Sequence, residues 1–151
     1  MSLANAARSM NRAKDRLHAG PAVVGRSVFV SYARVDRPLA VRLVTFLKSR
    51  GYDAWWDDRI EAGDYFDDRI IEALDLAFAV IVVWSAHSIR SRWVRWEATQ
   101  GLKQNKLVPL IVPALDLRDI MPPFGALNTL RLGDDAQLLA ALKNRGACSK
   151  R

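Results

Sequence analysis

One cysteine, Cys148, stands among 151 residues, close to the C-terminus. A lone thiol excludes a disulfide framework and a cysteine zinc site, and it suits a reducing, cytoplasmic setting. Histidine is almost as scarce: His18 and His87 lie too far apart to form a metal motif, so no metal is expected. No apolar run approaches the roughly 20 residues that span a bilayer. The longest, Leu76–Trp84, suits a buried strand instead, and no membrane span is expected. Neither G-x-G-x-x-G nor a P-loop occurs, which excludes a Rossmann dinucleotide site and a Walker ATP site. Met1–Ala19 lacks the apolar segment of a secretory signal, and Met-Ser excludes myristoylation.

What is present suffices for one domain. Half of the residues are hydrophobic, and five Trp, five Phe and three Tyr can fill a core, which excludes global disorder. The formal charge of +7 invites a nucleic-acid reading, but its distribution argues against one. Residues 1–26 carry +4 and residues 143–151 another +4, leaving residues 27–142 at −1. The basicity belongs to the tails, and the body lacks the basic face that base readout needs. The body is polarised in its own way. Asp57 to Asp75 holds eight acids and two arginines, whereas His87 to Lys106 holds five basic residues and one acid, Glu97. Such segments are either solvated helix faces or the two halves of a head-to-tail contact.

The hydrophobic pattern alternates between strand and helix. A basic arm or linker covers residues 1–25, although its Arg-rich, acid-poor character is also that of a transit peptide. The domain then spans residues 26–145 and a basic tail covers residues 146–151, with Lys143–Arg151 reading as a linker stub. Strands are predicted at Val28–Tyr32, Tyr52–Trp56, Ala79–Trp84, Leu107–Val112 and Thr129–Leu132. Asp36 caps a first helix with Pro38 in its opening turn and Gly51 at its end. Phe66, Ile70, Ile71 and Leu74 mark a second helix, Ser91 caps a third running to Gln104, and Asp134 begins a last one through Leu142. Ala79–Trp84 is β-branched and uncharged, so it is buried on both faces, as in a parallel sheet covered by helices. The fold class is α/β: a flavodoxin-like, doubly wound, five-stranded parallel sheet with helices on both faces.

Ligands in such sheets bind beyond the carboxyl ends of the strands. There Ser31-Tyr32-Ala33 and Trp84-Ser85 replace the carboxylates of a phospho-acceptor receiver. A serine–histidine–acid triad through Ser85 and His87 is conceivable, but side chains two residues apart seldom face one another. Trp93-Val94-Arg95-Trp96-Glu97 remains. Trp93 and Glu97, four apart, share one face of the third helix, at the rim of a buried stripe of Val94, Ala98 and Leu102. No cation stands at three or four residues from Glu97. An aromatic plate beside a half-buried, unpaired carboxylate suits a flat ring that develops positive charge; equally, it describes an exposed acid beside a boundary tryptophan.

Ser27–Ala33 followed by Asp36, Gly51-Tyr52 to Trp56, Ile60-Glu61-Ala62-Gly63, Ser85-x-x-Ser88 and Trp93-x-x-x-Glu97 together resemble a Toll/interleukin-1 receptor (TIR) domain. The match runs in order over roughly residues 26–145. The family holds scaffolding and NAD-cleaving members. The Arg-Asp-x-x-Pro-Gly box of animal receptors is replaced by Arg59-Ile60-Glu61-Ala62-Gly63, and no Phe-Trp pair stands near Phe124. Glu-Ala-Gly with WxxxE looks like the bacterial NAD-cleaving type. The resemblance implies that Glu97 is catalytic and that Trp93 helps to form the pocket. Ser31, Tyr32 and Arg34 are then candidates for the nicotinamide wall and a phosphate contact, with Ser85 also at the substrate.

It further implies self-association, in which the loop from Arg59 to Phe66 completes a neighbour's pocket. Arg59, Ile60, Glu61, Ala62, Gly63 and Asp64 would make the contact, and Glu61, Gly63 and Phe66 would reach the substrate. NAD+ enters as substrate, with no cofactor, and other TIR domains are the expected partners, in bacterial immune or cell-death signalling. The alternatives are a non-enzymatic TIR–TIR interaction module and a nucleoside-type N-glycoside hydrolase.

Overall fold

The structure, a computed structural model, describes residues 27–56 and 68–148. Five strands are formed by Ser27–Ser31 (β1), Asp53–Trp55 (β2), Ala79–Trp84 (β3), Leu107–Ile111 (β4) and Leu130–Arg131 (β5). Four α-helices are formed by Arg37–Ser49 (α1), Asp68–Leu76 (α2), Arg92–Lys103 (α3) and Asp135–Cys148 (α4). All strand pairs are parallel, in the order β2-β1-β3-β4-β5. The chain therefore reverses its direction of travel across the sheet between β1 and β3, which opens a crevice at their carboxyl ends. β3 coincides with its predicted span. β1 keeps its predicted length but begins and ends one residue earlier, and β2, β4 and β5 are shorter than predicted by one to two residues, their ladders pairing only the residues of these shorter spans.

Alternation along the strands divides the core in two. Val28, Val30, Ile81, Val83, Val108 and Leu110 face α1 and α4, meeting Ala40, Leu43, Val44, Leu47, Leu138 and Leu142. Phe29, Val80, Val82, Trp84 and Ile111 face α2 and α3, meeting Ile70, Leu74, Val94 and Ala98. The predicted faces of α1 and α2 hold for Leu43, Val44, Leu47, Ile70 and Leu74, whereas Leu39, Phe46 and Ile71 are only partly buried.

Helix ends show how local chemistry sets the elements. Ser91 caps α3 as expected, its hydroxyl accepting the Val94 N–H at 3.3 Å. Beyond α3, Asn105 adopts φ 55°, and the N–H groups of Asn105 and Lys106 return to the carbonyls of Leu102 and Gly101. Gly51, at φ 85°, closes α1 by the same pair of bonds, to Lys48 and Leu47. The last helix differs from expectation, beginning at Asp135 and running through Cys148 rather than stopping at Leu142. Lys143, Asn144 and Arg145 end the apolar periodicity but are good enough helix formers to carry the backbone on. The Arg145 guanidinium also binds the carbonyls of Asn105 (3.0 Å) and Leu107 (2.8 Å), which anchors that final turn to the sheet.

Gly101 governs how closely α3 approaches the sheet. A methyl group there would meet Val80 Cβ at 3.0 Å and Cγ1 at 3.2 Å. Gly101→Val is expected to destabilise the fold by about 2 kcal/mol through overpacking, read as a lower urea midpoint. An unchanged midpoint would show that α3 can lift without cost.

Candidate active site

Glu97 lies in the second turn of α3 and is 5% exposed. The buried stripe of α3 is Val94, Glu97, Ala98 and Gly101, with Leu102 half-buried beside it. The expected rim position is thus corrected. Gly101 lies close against Val80, and Glu97 belongs to the same sheet-facing stripe, so the carboxylate is buried. The expectation of an unpaired group is corrected too, since Glu97 has an interaction partner in the fold. An ionisable carboxyl held this far from water is costly unless paired or put to use.

Trp93 is half-buried one turn earlier and stacks on Trp96, with ring centroids 5.3 Å apart and an angle of 28°. The three-residue spacing of Trp96 from Trp93 makes this a helical contact. One face of the Trp93 indole is therefore covered by protein. Trp55 and Phe29, stacked at 4.9 Å, extend the aromatic lining on the same side of the sheet.

Ser31 ends β1 in register with Val82. Two residues after Phe29, it points to the α2–α3 side, the side that Glu97 faces. It is 1% exposed, and its Oγ has no hydrogen-bond partner among the described residues. Trp84 Nε1, also buried on this side, is likewise unsatisfied. Buried polar atoms of this kind are rare in native folds and mark places where a ligand or water completes the set. Tyr32 points the other way, into the α1–α4 core, with its ring 6.1 Å from Trp56. Arg34 is exposed in the single turn Arg34–Asp36 that follows β1, and it is engaged in an interaction there. The structure thus gathers Ser31, Trp93 and Glu97 on one side of the sheet and sets Tyr32 on the other.

Ser85 is buried just beyond β3, and its hydroxyl is fully used. It donates to Asp36 Oδ2 at 2.5 Å and accepts the N–H groups of Ser88 (3.1 Å) and His87 (3.3 Å). His87 meets Ser85 through its backbone, so no Ser85–His87 triad is assembled. Asp36 departs from expectation as well. It occupies the N-cap position of α1 but makes no side-chain capping bond, its carboxylate being directed to Ser85 instead. The candidates Arg59, Ile60, Glu61, Ala62, Gly63, Asp64 and Phe66 lie outside the described residues.

Two clefts, of about 240 and 540 Å³, open at the opposite, amino-terminal edge of the sheet around Asn105 and Arg145. Their lining holds neither a carboxylate nor an aromatic pair, whereas a cleft of about 270 Å³ at the carboxyl ends of β4 and β5 includes Asp116. Among the described residues, no group of three or more His, Cys, Asp or Glu side chains could hold a metal ion. No helix among them is long and apolar enough to cross a membrane.

A parallel sheet of this order, with Trp93-x-x-x-Glu97 on the helix after β3, agrees with a family profile for the TIR domain that matches residues 28–143. The chain belongs to the TIR-domain family. A curated relative of this TIR domain is the stimulator of interferon genes protein of Magallana gigas, 27% identical over 115 residues. That match covers 71% of the chain but only 28% of the relative, so the TIR domain corresponds to a part of that protein. Among solved structures, the metazoan TIR-STING receptor from C. gigas in complex with 2′,3′-cGAMP superimposes with a TM-score of 0.65 at 22% identity. It covers 78% of the chain and 39% of that receptor. The TIR domain of the Toll-related receptor TRR-2 from Hydra magnipapillata gives 0.61 at 20% identity, over 83% of the chain and 99% of the other. At these identities the likeness speaks for the fold alone. TIR domains include both NAD-cleaving enzymes and signalling adaptors.

Proposed function

We propose that this TIR domain is an NAD+ glycohydrolase of the type found in bacterial members, with Glu97 as its catalytic carboxylate. The observation that carries the reading is the burial of Glu97 in the sheet-facing stripe of α3. A carboxylate withdrawn from solvent adds nothing to a docking surface. A reaction that builds positive charge gains from one, because a preorganised anion in a water-poor site gains strength as that charge appears.

The chemistry needs one carboxylate. NAD+ holds its nicotinamide as a cationic pyridinium, so when the C1′–N bond breaks, the electron pair stays on nitrogen and the base leaves neutral. No general acid is required, unlike cleavage of a sugar–oxygen bond. Glu97 accepts hydrogen bonds from the ribose hydroxyls and stabilises the oxocarbenium-like carbon. Water then attacks C1′ and releases a proton, giving ADP-ribose; attack by an adenine nitrogen gives a cyclic isomer instead. Trp93 offers its half-buried indole to a ring, worth about 0.5–1.5 kcal/mol beyond area burial. The unsatisfied Ser31 hydroxyl supplies a hydrogen bond on the same side of the sheet. The deciding experiment mixes concentrated protein with NAD+ and follows nicotinamide, with Glu97→Gln as control.

Self-association forms part of this reading. Asp68, Glu72 and Asp75 are exposed on α2, and Arg90, Arg92 and Lys103 are exposed at and along α3. Opposite patches on one domain favour a head-to-tail contact between copies. Activity per mole is expected to rise with protein concentration and to fall as salt is raised from about 0.05 to 0.5 M, where screening shortens the Debye length. Activity indifferent to both would remove the self-association step. Absence of nicotinamide even from crowded or tethered protein would leave a TIR–TIR interaction module in signalling or host subversion.

A further inference from the structure

We propose that Asp36 is a positioning residue, whose bond to Ser85 straps the β1 side of the crevice to the α3 side and so sets Glu97 against the substrate. The inference rests on the NAD+ reading for its kinetic consequence, though not for its structural one. An aspartate at an N-cap ordinarily accepts an N–H of the first helical turn, a bond worth about 1 kcal/mol. Here that bond is not made, and the carboxylate reaches 49 residues along the chain to the Ser85 hydroxyl at 2.5 Å.

The segment after β3 is also bonded to the end of β3 and the start of α3. Ser85 N–H donates to Ser88 Oγ at 2.7 Å, and Ser88 Oγ donates to the Val83 carbonyl at 2.7 Å. Ser91 N–H reaches the Ser88 carbonyl at 3.0 Å, and Arg95 N–H reaches that of Ser91 at 3.1 Å. A continuous hydrogen-bonded run therefore leads from the end of β3 into the first turn of α3, two residues short of Glu97. The Asp36 carboxylate couples that run to the connection after β1, five residues beyond Ser31. Ser31 and Glu97 belong to different crossovers, and the Asp36–Ser85 bond joins those crossovers at the point where the strand order reverses.

Displacement of a reacting group by about 1 Å costs up to a hundredfold in rate. Asp36→Ala is therefore expected to lower kcat for nicotinamide release about ten- to a hundredfold, with KM changed less than about twofold. Asp36→Asn keeps an acceptor oxygen and should recover kcat to within about threefold of the native value. Ser85→Ala should reproduce the loss, and the double variant Asp36→Ala/Ser85→Ala should lose no more than either single one, because the two groups act as a unit. The strap is overturned if kcat survives in Asp36→Ala, if only KM rises, if Asn rescues nothing, or if the two losses multiply.

Amide hydrogen exchange tests the strap without any turnover. In Asp36→Ala, amides from Ser88 to Ala98 should exchange about tenfold faster relative to those of α4. Uniform acceleration, or none, overturns the proposal. If the native protein releases no nicotinamide while this exchange pattern appears, the NAD+ reading fails and the strap stands.

Discussion

Replacing Glu97 with glutamine is expected to lower the rate of nicotinamide release about a hundred- to a thousandfold, with a melting temperature close to that of the native domain. The side chains are isosteric, and glutamine keeps one carbonyl oxygen to accept a hydrogen bond, so the packing of α3 against β3 survives. What is lost is the full negative charge. In a buried position it faces little screening, and its interaction with the substrate grows as the pyridinium base departs. The loss should fall on kcat and leave KM nearly unchanged, since a neutral amide still binds the ground-state ribose. Glu97→Ala should lose as much activity and some stability besides, because the vacated volume lies beside Val94 and Ala98 in the core. Native turnover in Glu97→Gln would overturn the assignment.

Lys106→Met should destabilise the fold by about 3 kcal/mol. Lys106 is buried, and its ammonium donates to the carbonyls of Leu74 (2.6 Å), Ala77 (2.8 Å) and Asp75 (3.1 Å). These lie at the carboxyl end of α2, where the last turn has no intrahelical donors and the helix dipole favours a cation. Burial holds the Lys106 pKa below that of an ordinary lysine, and the nearby Asp75 carboxylate opposes the shift. Methionine fills the stem's volume but leaves buried carbonyls unsatisfied, which is the expensive half of the exchange. The measurement is the urea midpoint at constant slope. A shift below about 0.5 kcal/mol would mean that water reaches these carbonyls and that the ammonium is dispensable.

Glu97 and Lys106 are both charged residues inside the fold, and neither is distinguishable in the chain from a solvated neighbour. Composition places Lys106 among a run of basic residues, and helical spacing places Glu97 at the edge of a stripe. Ala79–Trp84 is different, since β-branched residues without a charge announce a central strand by themselves. The Ser91 cap is equally local, as hydroxyl and N–H are three residues apart. The Asp36–Ser85 bond left no trace in the pattern. An aspartate before Arg37-Pro38 reads as a cap, and only the fold brings a second acceptor-seeking group within reach. The end of α4 is equally non-local, because Arg145 holds the last turn through carbonyls 40 and 38 residues away.

Periodicity and β-branching thus determined the alternation of elements and the two faces of the sheet, because those preferences act between residues a few positions apart. The Trp93-to-Glu97 spacing likewise put both side chains on one helix face before any packing was considered. How deep Glu97 sits, which way Ser31 and Tyr32 point, and what Asp36 binds were decided only in three dimensions. The depth of Glu97 and the partner of Asp36 depend on contacts between segments remote in sequence, of α3 with β3 at Gly101 and Val80 and of Asp36 with Ser85.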